Sequence, residues 1–233
     1  MSETFFVTGA GWVGANGCGR GFDRRSPRFS FSGGGLPDMA SLPAYTMGRR
    51  GRLDDYTKLL LTALGLALED AGMGTEGPKD IGIAARTVLG CLATDREFWR
   101  TAMSDGGKFA SPSLFAYTLP NSCMGEAAIG FGLTGPTFLL GTGRQDDPAL
   151  VTAALLELAG GGTEGMLVGF ADAPFHGLSE ETPALRPGAG FLLVGKDARG
   201  RECHERLTMG PNGVTFSSGE PFGDLENFLE SLP

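Results

Sequence analysis

The sequence predicts an α/β domain, a mixed sheet with helices packed on it, and three observations carry that reading. Met166–Phe170 and Phe191–Val194 are short apolar runs bounded by glycine, as expected of strands buried on both faces of a sheet. Two longer stretches carry helical periodicity instead. Leu60, Leu64, Ala67, Leu68 and Ala71 fall on one face ahead of Gly72 as C-cap. Val151, Ala154, Leu155 and Leu158 follow Asp147 as N-cap and Pro148 at the first helical position, and Gly160-Gly161-Gly162 stops them. Alternation of such runs is the mark of layered α/β structure, and the 39 glycines supply its sharp turns and close packing.

Several motifs stand in a telling order along the chain. They are Thr4-Phe5-Phe6-Val7-Thr8-Gly9-Ala10-Gly11, then Arg52-Leu53-Asp54-Asp55-Tyr56 leading to Glu69-Asp70-Ala71-Gly72, then Ile81-Gly82-Ile83-Ala84 through Leu89-Gly90-Cys91. Ser111-Pro112-Ser113-Leu114-Phe115-Ala116-Tyr117-Thr118-Leu119-Pro120-Asn121 continues through Gly125-Glu126 to Gly135-Pro136-Thr137-Phe138-Leu139-Leu140-Gly141-Thr142-Gly143-Arg144. This succession resembles the N-terminal half of the β-ketoacyl synthases of the thiolase superfamily, in the branch found beside aryl-polyene and fatty-acid genes. The resemblance makes the first motif a strand followed by a Gly-rich turn, the second the first long helix, the third a second strand and its turn. It implies a thiolase-like half-fold over residues 1–199, with 200–233 as a C-terminal extension holding one short strand around Arg206–Met209 and a short amphipathic helix at Asp224–Glu230.

The same resemblance bears on activity. The elbow Thr142, Gly143, Arg144 and Gln145 stands where the family keeps its acyl-accepting cysteine, and Arg144 occupies the nucleophile's place. A thiolate there is activated by a helix N-terminus and carries the acyl group as a thioester; a guanidinium stays protonated and does neither. The family's second half supplies histidines for malonyl-thioester decarboxylation, and this chain is long enough for one half and has two histidines, His176 and His204. The implied role is a non-catalytic partner, similar to the chain-length-factor subunits that have lost the cysteine, in fatty-acid, polyketide or aryl-polyene type synthesis. The family's own activity would be that of a 3-oxoacyl-[acyl-carrier-protein] synthase. The alternatives are an acyl-thioester transferase or hydrolase using Thr142, Gln145 or Cys123, and a thiolase-like scaffold. The resemblance places a dimer strand at Phe138, Leu139 and Leu140, implying a homodimer or a heteromer with a full-length synthase.

Charge is uneven. Residues 1–60 hold eight Lys/Arg against five Asp/Glu, leaving 11 basic and 22 acidic residues for the remainder. Arg20, Arg24, Arg25, Arg49 and Arg50 lie in Gly/Pro/Ser-rich sequence that reads as a long loop: either a solvated basic surface or a contact for an acyl carrier protein. The acidic remainder argues against nucleic acid. No apolar run reaches the length of a membrane helix, and no signal peptide precedes the first motif. Cys18, Cys91, Cys123 and Cys203 are widely spaced, which argues against a metal site and for a reduced, cytoplasmic setting. No cofactor is expected. Gly9-Ala10-Gly11-Trp12-Val13-Gly14 matches the dinucleotide pattern GxGxxG, but Asn16, Gly17, Gly19, Gly21 and Pro27 would break the helix that a pyrophosphate needs. Cys123 reads as an inert thiol in a packed helix, His176 as a loop residue, and His204 as part of a solvated face. Asp146 and Asp147 read as helix cap and dipole partners near Arg144.

Overall fold

The computed structural model describes residues 2–32, 35–43, 45, 53–74, 77–141, 148–175, 186–198, 200 and 202–232. A hairpin of β1 (Glu3–Gly14) and β2 (Gly17–Arg20) precedes α1 (Asp55–Asp70), β3 (Ile81–Thr87), α2 (Leu92–Met103), α3 (Pro112–Phe115) and α4 (Ser122–Phe131). Then come β4 (Thr137–Gly141), α5 (Ala149–Gly160), β5 (Gly165–Asp172), β6 (Gly188–Gly195), β7 (Glu205–Gly210), β8 (Gly213–Phe216) and α6 (Leu225–Ser231). The strands form one sheet in the order β4-β3-β5-β6-β1-β7-β8, with β2 also on β1. β3 is parallel to β4 and β5, and the other pairings are antiparallel. The expected mixed sheet is therefore present: residues 4–8 and 191–194 lie in neighbouring strands, and Met166–Phe170 lie inside it.

Both faces of this sheet are covered. Along β6, Phe191 and Leu193 point into a core shared with α1 and α4, whereas Leu192 and Val194 point into a second core shared with α5 and α6. Successive side chains of a strand alternate between faces, so a strand buried on both reads as a continuous apolar run. Asp54 caps α1 by accepting from the Thr57 N–H at 2.9 Å. Twelve residues of α1, from Tyr56 to Leu68, are buried on all sides of the helix.

β1 departs from the expected strand-and-turn. It runs straight through Gly9–Gly11, because those glycines let α1 approach without a side-chain spacer. A Cβ at Gly9 would overlap the Ala67 carbonyl and the Ala71 amide, and one at Gly11 would overlap the backbone of Ala63 and Ala67. Gly14 is held against Phe29 and Ser30. All three glycines of the GxGxxG pattern thus have packing roles, and the strand continues where a nucleotide site would need a turn into a helix. The expected basic loop is likewise interrupted, since Gly17–Arg20 returns along β1 as β2. α5 begins one residue later than its sequence suggests: Pro148 is the N-cap and makes no side-chain cap, while Asp147 lies outside the described residues.

The C-terminal segment is tied into the sheet. β7 extends it by pairing with the first half of β1, and β8, which the sequence pattern concealed, closes a hairpin on β7. α6 lies where the tail helix was expected, capped by Asp224 through the Asn227 N–H at 2.7 Å. His204 is a correction: its side chain is 4% exposed and its Nε2 lies 2.6 Å from the fully buried Asp70 Oδ2. Asp70 also accepts from the Ala10 N–H at 2.9 Å and the Phe22 N–H at 2.7 Å, and Phe22 stacks on the imidazole. Its neighbours Arg201, Glu202, Glu205 and Arg206 suggested solvent; the burial comes from β7 lying on β1, a contact that local sequence does not display.

Gly11→Ala should destabilise the protein by about 1–3 kcal/mol or more, because an added methyl meets helix backbone that cannot yield. Gly74→Ala, with nothing within 4 Å of its added Cβ, should stay within about 0.5 kcal/mol of the parent. Urea unfolding of the two variants checks the contrast.

Candidate functional site at the carboxyl ends of the parallel strands

Three parallel strands, β3, β4 and β5, end side by side at Thr87, Gly141 and Asp172; Thr87 and Gly141 are register partners, as are Arg86 and Phe170. Open α/β sheets place ligands beyond such carboxyl ends. Thr142, Gly143, Arg144 and Gln145 follow Gly141 directly in the chain but lie outside the described residues, as do Arg49, Arg50, His176, Asp146 and Asp147.

The described rim is built around Asp172. Its Oδ1 accepts from the Thr87 hydroxyl at 2.7 Å and from the Val88 and Leu89 N–H groups at 2.9 and 3.0 Å. The Thr87 hydroxyl oxygen in turn accepts from the Gly90 N–H at 2.7 Å. Gly90 has a φ of +55°, so the turn needs a residue without a Cβ penalty. Burial raises the Asp172 pKa above the usual carboxylate range, although its three donors and the nearby Arg86 charge act the other way. Behind this turn Arg86, 1% exposed, bonds Glu226 of α6 and lies over the Phe170 ring at 5.1 Å. Burial raises the Glu226 pKa too.

Beyond the turn two recesses open along α2. The smaller, about 310 Å³, is walled by Asp54, Tyr56, Cys91, Thr94 and Ala173. Asp54 uses its second oxygen to accept from the Thr94 hydroxyl at 2.6 Å, so the cap of α1 also fixes the first turn of α2. The larger is an apolar groove of about 630 Å³ between Leu92, Phe98, Trp99, Thr118 and Phe175, with Arg96 over the Phe175 ring. Its size and lining suit a small apolar ligand. Trp99, Met103, Phe115 and Leu119 are exposed beside it.

Neither Cys91 nor Cys123 is poised as a nucleophile. Cys123 is buried, donates to the Pro120 carbonyl and has its pKa pushed up to about 12 by burial. Cys91 is also pushed up to about 12, by burial and then by Asp95. Phe138, Leu139 and Leu140 lie in β4, the end strand of the sheet, and are half-buried. Among the described residues β4 pairs on one side, with β3. Of the expected basic surface, Arg20 pairs with Glu69 and Asp23, and the highly exposed Arg25 pairs with Asp23. The described residues include no group of three His, Cys, Asp or Glu able to hold a metal, and no helix long and apolar enough to cross a membrane. The Asp172 rim and the Arg86–Glu226 pair were not singled out in the sequence. Their signal was a charged residue at each inner strand end, Arg86 and Asp172, within otherwise apolar runs.

Comparison with known structures matches the fold. A chain of the ishigamide ketosynthase/chain length factor superposes with a TM-score of 0.68 at 16% identity, over 90% of this chain and 63% of that one. The fold is that of the ketosynthases. A type II polyketide acyl-carrier protein in complex with its ketosynthase bound to the hexaketide gives a chain with a TM-score of 0.66 at 16% identity, covering 90% of this chain and 69% of that one. A ketosynthase in complex with its chain length factor from Xenorhabdus doucetiae gives 0.55 at 18% identity, covering 87% and 81%. In sequence, a polyketide β-ketoacyl synthase 1 of Streptomyces virginiae is 30% identical over 118 residues, 46% of this chain and 28% of that protein. The chain thus spans less than a third of that relative's length. No protein-family model matches.

The Asp172 rim carries a pH signature. Because the folded-state pKa of Asp172 is raised, its contribution favours folding below the ordinary value of 3.8 and is lost as pH rises through the folded value. Asp172→Asn should therefore flatten the stability curve on the acid side of neutrality, as followed by thermal unfolding across a pH series. In native protein at pH 8, Ellman's reagent should leave Cys91 and Cys123 unreacted until unfolding, since so little of either thiol is ionised.

Proposed function

We propose that this protein is a non-catalytic ketosynthase-like subunit, acting beside a cysteine-bearing synthase in the manner of a chain-length factor. The observation that carries the reading is Arg144, three residues past the end of β4, where the fold would present the acyl-accepting cysteine. An arginine there forms no thioester, and burial keeps the Cys91 and Cys123 thiols protonated rather than nucleophilic. The fold likeness to chains from ketosynthase and chain-length-factor complexes supports the choice.

The surface supports a heteromeric partner. Among the described residues β4 pairs on one side, with β3, and an apolar edge strand is a liability unless paired. The exposed Trp99, Met103, Phe115, Leu119 and Ile129 lie on α2, α4 and the segment around α3, which join the ends of β3 and β4. In this reading β4 pairs with a full-length synthase, the groove beside Trp99 receives the growing acyl chain, and the Arg20–Arg25 region is the candidate contact for an acyl carrier protein.

Incubation with acyl- and malonyl-pantetheine followed by intact-mass spectrometry tests the absence of acyl transfer. The proposal expects unmodified mass. A stable acyl adduct, or turnover to free acid above the uncatalysed rate, would establish the transferase or hydrolase reading instead.

A further inference from the structure

The carboxyl-end rim and the C-terminal helix meet at one buried arginine. Arg86 is the penultimate residue of β3; its neighbour Thr87 and the Val88 and Leu89 amides are gripped by Asp172 on one side, while Glu226 of α6 holds its guanidinium on the other. Arg86, Asp172 and Glu226 are 1%, 0% and 5% exposed. Each has an atom without a hydrogen-bond partner among the described residues: Arg86 Nη1, Asp172 Oδ2 and Glu226 Oε2. Arg86 is the register partner of Phe170, two residues before Asp172 on β5, so the guanidinium is bonded to one carboxylate and lies near a second whose Oδ2 has no partner among the described residues. Buried charged groups left partly unsatisfied are costly, so an arrangement that pairs more of these atoms would gain free energy.

We propose that Arg86 is a two-position switch through which docking of α6 sets the tightness of the 88–90 turn. With α6 docked, Glu226 holds the guanidinium and Asp172 grips the turn with Oδ1 alone. With α6 lifted, the guanidinium turns about the Phe170 ring face to the free Oδ2 of Asp172. A guanidinium against that carboxylate favours its charged form, which accepts more strongly from Thr87, Val88 and Leu89. The turn then tightens. α6 suits the moving part: it is seven residues long, follows the Gly219–Gly223 stretch, and seats chiefly through Leu225, Phe228 and Leu229 on the second core. Because the turn leads into Leu92 at the start of α2, its tightness reaches the apolar groove. That last step rests on the reading of the groove as an acyl site; the switch itself does not.

Amide hydrogen exchange on the full chain tests the switch without any ligand. Glu226→Gln weakens the hold on Arg86 and Leu229→Asp unseats α6, so both should slow exchange of the Val88 and Leu89 amides by about tenfold relative to the interior of β3. Adding Asp172→Asn to either should abolish the slowing. Faster exchange at Val88 and Leu89, in step with the rest of the sheet, would show α6 to be merely structural and overturn the proposal. Trp99 fluorescence titrated with decanoyl-pantetheine separates the two readings. A parent protein that does not bind it refutes the acyl groove and leaves the exchange result to decide the switch. A parent that binds should show a Kd altered in Glu226→Gln, and an unaltered Kd alongside slowed exchange would confine the switch to the turn.

Discussion

The close approach of α1 to β1 is the contact on which the rest of the structure depends. Gly9 and Gly11 remove the side-chain layer between helix and strand, so helix backbone lies directly on strand backbone. Dispersion and burial at such a contact are large because no atom-sized gap intervenes. The two ends of α1 then become anchor points. At its start Asp54 binds both its own helix and Thr94 of α2, which fixes the wall of the candidate site. At its end Asp70 gathers Ala10, Phe22 and His204, which fixes the β1–β2 hairpin and the entry to β7. One buried helix thereby joins the N-terminal hairpin, the site and the C-terminal segment.

Elements governed by local pattern were legible in the sequence. α1 and α5 announced themselves through periodicity and α6 as a short amphipathic stretch, and β5 and β6 through apolar runs bounded by glycine. What escaped was set by contacts between distant segments. β2 and β8 are four residues each and rich in polar or small residues, so their strand state comes from the partner they pair with. The continuous course of β1 was hidden because glycine ordinarily signals a turn, whereas here it signals a helix pressing on the strand. His204 sat among charges in sequence, yet a partner 134 positions away determined its burial.

The candidate site was legible in part for the same reason. The family resemblance put the expected dimer strand in β4, which ends the sheet among the described residues, while the elbow it implies lies outside them. The rim around Asp172 depends on β3 and β5 being neighbours, a matter of topology, and the Arg86–Glu226 pair joins residues 140 positions apart. What the described rim offers is a fixed turn, a buried carboxylate and an apolar groove. These are binding and positioning features, and burial holds the Cys91 and Cys123 thiols protonated at neutral pH. The partner role proposed above rests on this inventory together with the elbow arginine, since a fold of synthase type does not by itself fix function.

Sedimentation velocity of this chain mixed with a full-length, cysteine-bearing type II ketosynthase tests the central claim most directly. The account predicts a one-to-one complex that sediments faster than either component and is lost when Leu139 in β4 is replaced by proline, a change that leaves the monomer's far-ultraviolet circular dichroism intact. Two components sedimenting independently at micromolar concentration would contradict it.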